Sequence, residues 1–235
     1  MPTWKRVMDI VGSLVACVCL SPVLLLVAFV IKVVSPGPVL LRQKRVGHHG
    51  KTFTIWKFRT MKADADSAVH QNHVRSLMTT NQPMTKLDLS RDPRIIPFGN
   101  FIRRCCLDEL PQLINVLRGE MSLVGPRPCV PYEAEQYGPR ERKRFDAVPG
   151  MTGLWQVSGK NKTTFNEMIR LDIAYARRRS FWLDIKILLW TMPAIYAEIA
   201  ESLSQRRKHK TQQAPAPVQT LPQPLDAGQL GTQHD

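Results

Sequence analysis

The chain opens on apolar positions and turns polar after them. From Ile10 to Ile31 it reads IVGSLVACVCLSPVLLLVAFVI, 22 residues without a charge, between Lys5, Arg6 and Asp9 on one side and Lys32 on the other. At ~1.5 Å per residue that run is long enough for a ~30 Å hydrocarbon layer, so it predicts a membrane helix. Its middle holds Ser21-Pro22. Proline deletes a backbone donor and crowds the preceding turn, which predicts a sharp bend. Each half alone reaches only ~16 Å. A kinked spanning helix and two short helices that enter and leave on one side both satisfy the pattern. In the second, the Ser21 hydroxyl is a candidate partner for a freed carbonyl. Lys5 and Arg6 before the run, and Lys32, Arg42, Lys44 and Arg45 after it, place the body on the cytoplasmic side in either case.

Beyond Pro36-Gly37-Pro38, the segments Val39 to Val46 and Thr52 to Met61 read as strands joined through Gly47-His48-His49-Gly50, a hairpin. Ala63 to Ser90 is polar and weakly patterned, which predicts a flexible excursion. Helical spacing resumes at Ile95, with Phe98, Phe101 and Ile102 on one face, and again from Leu110 to Leu117. Further helices are expected over Tyr132 to Phe145, Phe165 to Arg179 and Phe181 to Ile199. The last carries Trp182, Leu183, Ile185, Leu189, Trp190 and Ile195 on a broad apolar face, suited either to the headgroup zone or to a buried core. Gln205 to Asp235 contains seven Gln, four Pro and no aromatic residue, which predicts disorder. Arg206-Arg207-Lys208-His209-Lys210 at its start reads as a solvated basic run, with anionic lipid as the alternative contact.

Charge narrows the function. Lys plus Arg total 33 against 19 Asp plus Glu, a formal +14, so the partners are expected to be anionic. Seven of the basic residues fall between Arg42 and Lys62, where there is no acid. The five cysteines form no C-x-x-C and fit reduced thiols in a cytoplasmic body. A secreted mini-protein, a collagen-like chain and a polytopic transporter are excluded. His70-x-x-His73 and His48-His49 lack a metal-site context and are expected to be solvated.

The informative chemistry is Leu107-Asp108-Glu109-Leu110-Pro111-Gln112-Leu113. Pro111 suits a first helical turn, leaving Asp108 at the helix start, where a capping aspartate and a first-turn glutamate would be ordinary. Arg103, Arg104, Arg118 and Arg127 bracket this pair, and carboxylates so placed stay ionised, as a nucleophile or a metal ligand requires. Oxygen ligands of this kind suit magnesium with substrate phosphates. Gly125-Pro126-Arg127-Pro128 holds one guanidinium on a stiff loop, ready to fork onto a phosphate or simply to face solvent. On composition alone, a membrane-tethered protein that binds anionic lipid or nucleic acid without catalysis stands beside an enzyme. The acids Asp108 and Glu109 within the arginine cluster count against nucleic acid.

Several segments in order carry a resemblance: Lys5-Arg6 with Asp9, Ser21-Pro22, Lys57-Phe58-Arg59-Thr60-Met61, Asp92-Pro93-Arg94-Ile95, and the block around Asp108. Asn115-Val116-Leu117, Gly119 to Pro128, Pro149-Gly150-Met151-Thr152-Gly153 and Leu183-Asp184-Ile185-Lys186 follow. Over about residues 4 to 200 the chain resembles the bacterial polyprenyl-phosphate sugar-1-phosphate transferases, small monotopic phosphoglycosyl transferases. The resemblance implies an α+β, mostly helical fold. A re-entrant helix broken at Ser21 and Pro22 (residues 1–35) would precede a cytoplasmic catalytic domain (36–204) with a small β-hairpin and interfacial helices, and a tail (205–235) would follow.

It further implies transfer of a sugar phosphate from a UDP-sugar to undecaprenyl phosphate, with release of UMP and a need for Mg²⁺. Asp108 would be the nucleophile and a metal ligand, Glu109 its partner, and Lys57, Arg59, Arg103 and Arg127 the phosphate-binding cations. The expected location is the bacterial cytoplasmic membrane, with anionic lipids as partners and no nucleic acid.

Overall fold

The computed structural model describes residues 1–62, 68–84, 94–160 and 162–212. Helix α1 (Thr3–Val34) runs through the apolar stretch and stays helical across Ser21-Pro22 rather than splitting into two elements. The reason is local. Pro22 has no N–H for the carbonyl of Val18, four residues back, and the Ser21 hydroxyl donates to that carbonyl at 2.8 Å instead.

Both ends of α1 sit on the same body. Near its start, Lys5, Asp9 and Ser13 recur every fourth residue and are buried. Lys5 Nζ donates to Asp184 Oδ2 (2.5 Å), the Val124 carbonyl (2.8 Å) and the Tyr175 hydroxyl (3.0 Å). Asp9 Oδ1 accepts from the Ser122 hydroxyl and the Leu123 amide, and Arg6 donates to the carbonyls of Val116 and Leu117. Near its end, Val27 and Ile31 join Phe58, Ile96 and Ile102 in an apolar cluster. Between Ser13 and Val27 no side chain is buried, and Val18 and Leu25 are 73% and 71% exposed.

Strands β1 (Leu40–Val46) and β2 (Thr52–Phe58) form the expected antiparallel hairpin, with Leu40 opposite Phe58 and Val46 opposite Thr52. The stretch expected to be an excursion contains helix α2 (Ala68–Thr80), where Val74 and Leu77 supply a two-residue apolar stripe too short to stand out among polar neighbours. The rest of that stretch, 63–67 and 85–90, and Asp92-Pro93 lie outside the described residues. Helix α3 (Gly99–Arg104) follows, starting later than Ile95 because Phe98 takes a left-handed conformation.

The helix expected from Leu110 is instead a 3-10 turn (Leu107–Gln112) running into α4 (Leu113–Arg118). Strands β3 (Ser122–Val124) and β4 (Gly150–Thr152) form a parallel pair that three-residue segments did not announce. The single helix expected over Tyr132 to Phe145 is divided at Gly138-Pro139 into α5 (Pro131–Ala134) and a 3-10 turn (Glu141–Asp146).

Helices α6 (Leu154–Val157), α7 (Phe165–Arg178) and α8 (Phe181–Gln212) complete the body. A capping box starts α7: the Thr164 hydroxyl accepts from the Glu167 amide, and the Glu167 carboxylate from the Thr164 amide. Helix α8 continues past Gln205, where disorder was expected; 213–235 lie outside the described residues. It buries Asp184 and Ile187 but leaves Trp182, Leu189, Trp190, Met192 and Tyr196 exposed, so it is not a buried core helix. The largest apolar cluster joins Val46 of β1, Tyr137, Phe145, Trp155 of α6 and Phe165, Met168, Ile169 and Ile173 of α7. The five cysteines form no disulfide among the described residues.

Candidate active site

Asp108 and Glu109 lie in the first turn of the Leu107–Gln112 3-10 segment. Cys106 precedes it in the left-handed region (φ 54°), which turns the chain sharply after α3. Pro111 and Gln112 are buried, so the turn is pinned at its far end, and both acids are half-buried. Strand β2 packs beside this turn, and Asn115 of α4, the helix that continues the turn, is bonded to the strand. Its side-chain amide donates to the Thr54 carbonyl (2.7 Å) and accepts from the Trp56 amide (3.1 Å).

That register brings Lys57 of β2 to Glu109, with Nζ to Oε1 at 2.8 Å. Burial alone would raise the Glu109 pKa, but Lys57, Lys160 and Arg127 outweigh it and hold the carboxyl down at about 2. Glu109 is therefore a fixed negative charge ringed by cations.

Arg127 sits on the loop after β3. Gly125 lets that loop approach β4: a Cβ on Gly125 would lie 2.2 Å from the Val148 carbonyl oxygen, and one on Gly150 would lie 2.0 Å from the Gly125 nitrogen. The loop is also held from beneath. Buried Arg144 donates to the Arg127 carbonyl (2.9 Å), to the Tyr137 hydroxyl and to Asp172 Oδ2. Arg127 Nη1 stands 3.7 Å from Glu133 Oε2, and Glu133 also accepts from the Tyr137 hydroxyl. Burial pushes the Glu133 pKa up, yet Arg127 and Arg144 pull it below the ordinary value, so its carboxylate stays charged.

The other expected phosphate-binding cations fall differently. Arg103 lies in the last turn of α3, half-buried, and its side chain has no ion pair among the described residues. Arg59 is 4% exposed and donates to the carbonyls of Ser35 (2.9 Å) and Pro36 (2.6 Å), clamping the end of α1.

The family model described as bacterial sugar transferase matches residues 1–198. The chain belongs to the bacterial sugar transferase family. It is 42% identical over 195 residues to the galactosyl transferase CpsE of Streptococcus agalactiae, covering 81% of this chain and 42% of the relative. It is 40% identical over 196 residues to the UDP-glucose:undecaprenyl-phosphate glucose-1-phosphate transferase of Escherichia coli, covering 80% of this chain and 39% of that one. It is 37% identical over 191 residues to the exopolysaccharide production protein ExoY of Sinorhizobium fredii, covering 81% and 84%. The chain thus spans about two fifths of the length of the first two relatives and most of the third.

Two cations in this family member's site escaped the sequence reading. Lys160, on the loop after α6, pairs with Glu198 of α8 at 3.3 Å and is among the charges that hold Glu109 low. Arg45, read only as a membrane-flanking charge, is 6% exposed and donates to the Gln43 side chain (2.7 Å) and the Pro128 carbonyl (3.4 Å). Burial and neighbouring Arg127 lower its pKa to about 10. No motif marks either residue, because each reaches the site from an element remote in sequence. Asp184, within the Leu183-Asp184-Ile185-Lys186 segment, is wholly buried against Lys5. Trp155 is a packed core residue whose indole N–H donates to the Thr163 hydroxyl.

Proposed function

We propose that the chain transfers a sugar-1-phosphate from a UDP-sugar to undecaprenyl phosphate through a covalent intermediate on Asp108. The observation that carries this reading is the carboxylate pair Asp108-Glu109 on one tight turn, with Lys57 Nζ 2.8 Å from Glu109 and the charges of Lys160 and Arg127 acting on that carboxylate. A diphosphate donor and a monophosphate acceptor repel each other, so splitting the reaction into two displacements avoids bringing them together.

An Asp108 carboxylate oxygen attacks the sugar-bearing phosphorus, the phosphorus–oxygen bond to the uridine monophosphate breaks, and UMP leaves with the bonding pair. The phosphate oxygen of undecaprenyl phosphate then attacks the aspartyl-bound phosphorus. The new diphosphate forms, and Asp108 leaves as a carboxylate. Lys57, Arg103, Arg127 and Lys160 bind and neutralise the phosphoryl oxygens. Glu109, kept ionised, orients Lys57 toward them.

Among the described residues no three His, Cys, Asp or Glu side chains cluster to hold a metal. Magnesium commonly takes only one or two protein carboxylates beside substrate phosphates, and Asp108 would be its protein ligand here. When bound, Mg²⁺ supplies charge neutralisation on the diphosphate.

The same reading places α1 in the bacterial cytoplasmic membrane as a re-entrant element with the body on the cytoplasmic face. Its support is that the helix is seated on one body at both ends, through Lys5 and Asp9 at the start and Val27 and Ile31 at the finish. Opposite sides of a bilayer would not allow that. The exposed apolar middle dips into lipid, and the exposed face of α8 rests at the headgroups, so Asp108 meets the acceptor phosphate at its own depth.

Mass spectrometry of the purified chain incubated with UDP-sugars and no acceptor tests the mechanism. A hexose-phosphate adduct on Asp108, with one UMP released per chain, is expected from the matching donor and from no Asp108→Asn protein. Robust turnover in Asp108→Asn overturns it.

A further inference from the structure

A second concentration of positive charge lies between the 3-10 turn Glu141–Asp146 and α7. A cleft of about 240 Å³ is lined there by Arg140, Lys143, Arg170, Ile173, Ala174 and Arg177. Arg170 and Arg177 stand two turns apart on α7, with Ile173 and Ala174 between them as an apolar floor. Arg140 and Lys143 form the facing rim. No carboxylate lines the cleft, and among the described residues none of the four cations makes an ion pair. The neighbouring Arg144, by contrast, is ion-paired with Asp172 and Glu133.

Four like charges around one cleft repel, and free walls would part. These walls are not free. Arg144 of the turn is bonded to Asp172 of α7 inside the body, and Phe145 packs in one cluster with Ile169 and Ile173. The fold therefore keeps the four solvent-exposed cations around one cleft that no carboxylate lines.

Position points to the partner. Arg177 begins the run Arg177-Arg178-Arg179, followed by Ser180, Phe181 and Trp182, and Trp182 is 77% exposed. Trp4, at the start of α1, packs edge-on against Phe181 with ring centroids 6.1 Å apart. The cleft thus adjoins the point where the membrane helix begins, where basic and tryptophan side chains favour headgroup depth. We propose that this cleft binds the phosphate of an anionic phospholipid headgroup, at a site separate from the Asp108-Glu109 turn. The proposal rests on the reading that α1 lies in the bilayer.

The test is hydrogen exchange on the full chain in nanodiscs of phosphatidylcholine alone and with increasing phosphatidylglycerol. Slower exchange over residues 140–146 and 165–178 that grows with phosphatidylglycerol is expected. In Arg170→Gln and in Arg177→Gln, the phosphatidylglycerol fraction giving half the effect should rise about fivefold for the charge removed. Equal exchange in both disc types, or variants that respond like the parent chain, overturns the proposal while leaving the transferase reading intact. Equal protection by inorganic phosphate in phosphatidylcholine discs shows a soluble-anion site and overturns the lipid assignment. A chain that does not stay with the discs overturns both the membrane placement and the proposal.

Discussion

Lys57 and Glu109, 52 residues apart in sequence, meet at 2.8 Å because β2 packs beside the acidic turn. The contact does two things at once: it fixes the lysine over the site, and it keeps the glutamate charged.

Lys57→Met removes the strongest of the cations that lower the Glu109 pKa, and burial then dominates. The Glu109 pKa should climb from about 2 toward or above its ordinary 4.5, and carboxyl carbon NMR of the labelled chain would read it. UMP release should fall about 10²-fold. In the parent chain the folded value lies below the ordinary one, so the stabilisation from this pair is present above pH 4.5 and is lost as pH falls through about 2. Lys57→Met should flatten that acid limb of a denaturation profile.

Lys160→Met tests the cation that reaches the site from the loop after α6. Its charge bears on Glu109 and on the incoming diphosphate, so KM for the UDP-sugar should rise about tenfold, as loss of one charge-assisted contact implies. An unchanged KM would remove Lys160 from the site.

Arg59 separates a brace from a substrate ligand. Its guanidinium is occupied by the carbonyls of Ser35 and Pro36. Arg59→Lys keeps the charge but loses the two-carbonyl fork, and it should lower stability by about 2 kcal/mol while leaving KM for the donor unchanged. Thermal denaturation and initial-rate kinetics on the same preparation give both readings.

Lys5 and Asp184 form an ion pair sealed from solvent. Asp184→Ala strands the ammonium, and the loss should be about 3–5 kcal/mol. In Lys5→Met with Asp184→Leu no charge is left behind, so denaturation should show much of the loss recovered.

Thr3→Cys probes the topology of α1. A re-entrant helix leaves position 3 on the body side, unlabelled by an impermeant thiol reagent applied to intact cells. Labelling from outside would show a spanning helix.

The sequence by itself determined the local features. An uncharged run of 22 residues sets the long apolar helix α1, Gly47 to Gly50 between two strand patterns set the hairpin, and a helical segment from Phe165 sets α7. The acids Asp108 and Glu109 stood out within their arginine cluster, the family resemblance added Lys57 and Arg127 as phosphate-binding cations, and the fold brings the charges of Lys57 and Arg127 to bear on Glu109. Tertiary structure decided the rest. The β3–β4 pair is too short for any periodicity, and α2 is held by two buried side chains in a polar segment. Lys160 and Arg45 enter the site, and Arg59 leaves it, according to which carboxylates and carbonyls stand within reach once distant elements pack. Charge and hydrogen bonding act over a few ångströms in space, whereas the sequence records only separation along the chain.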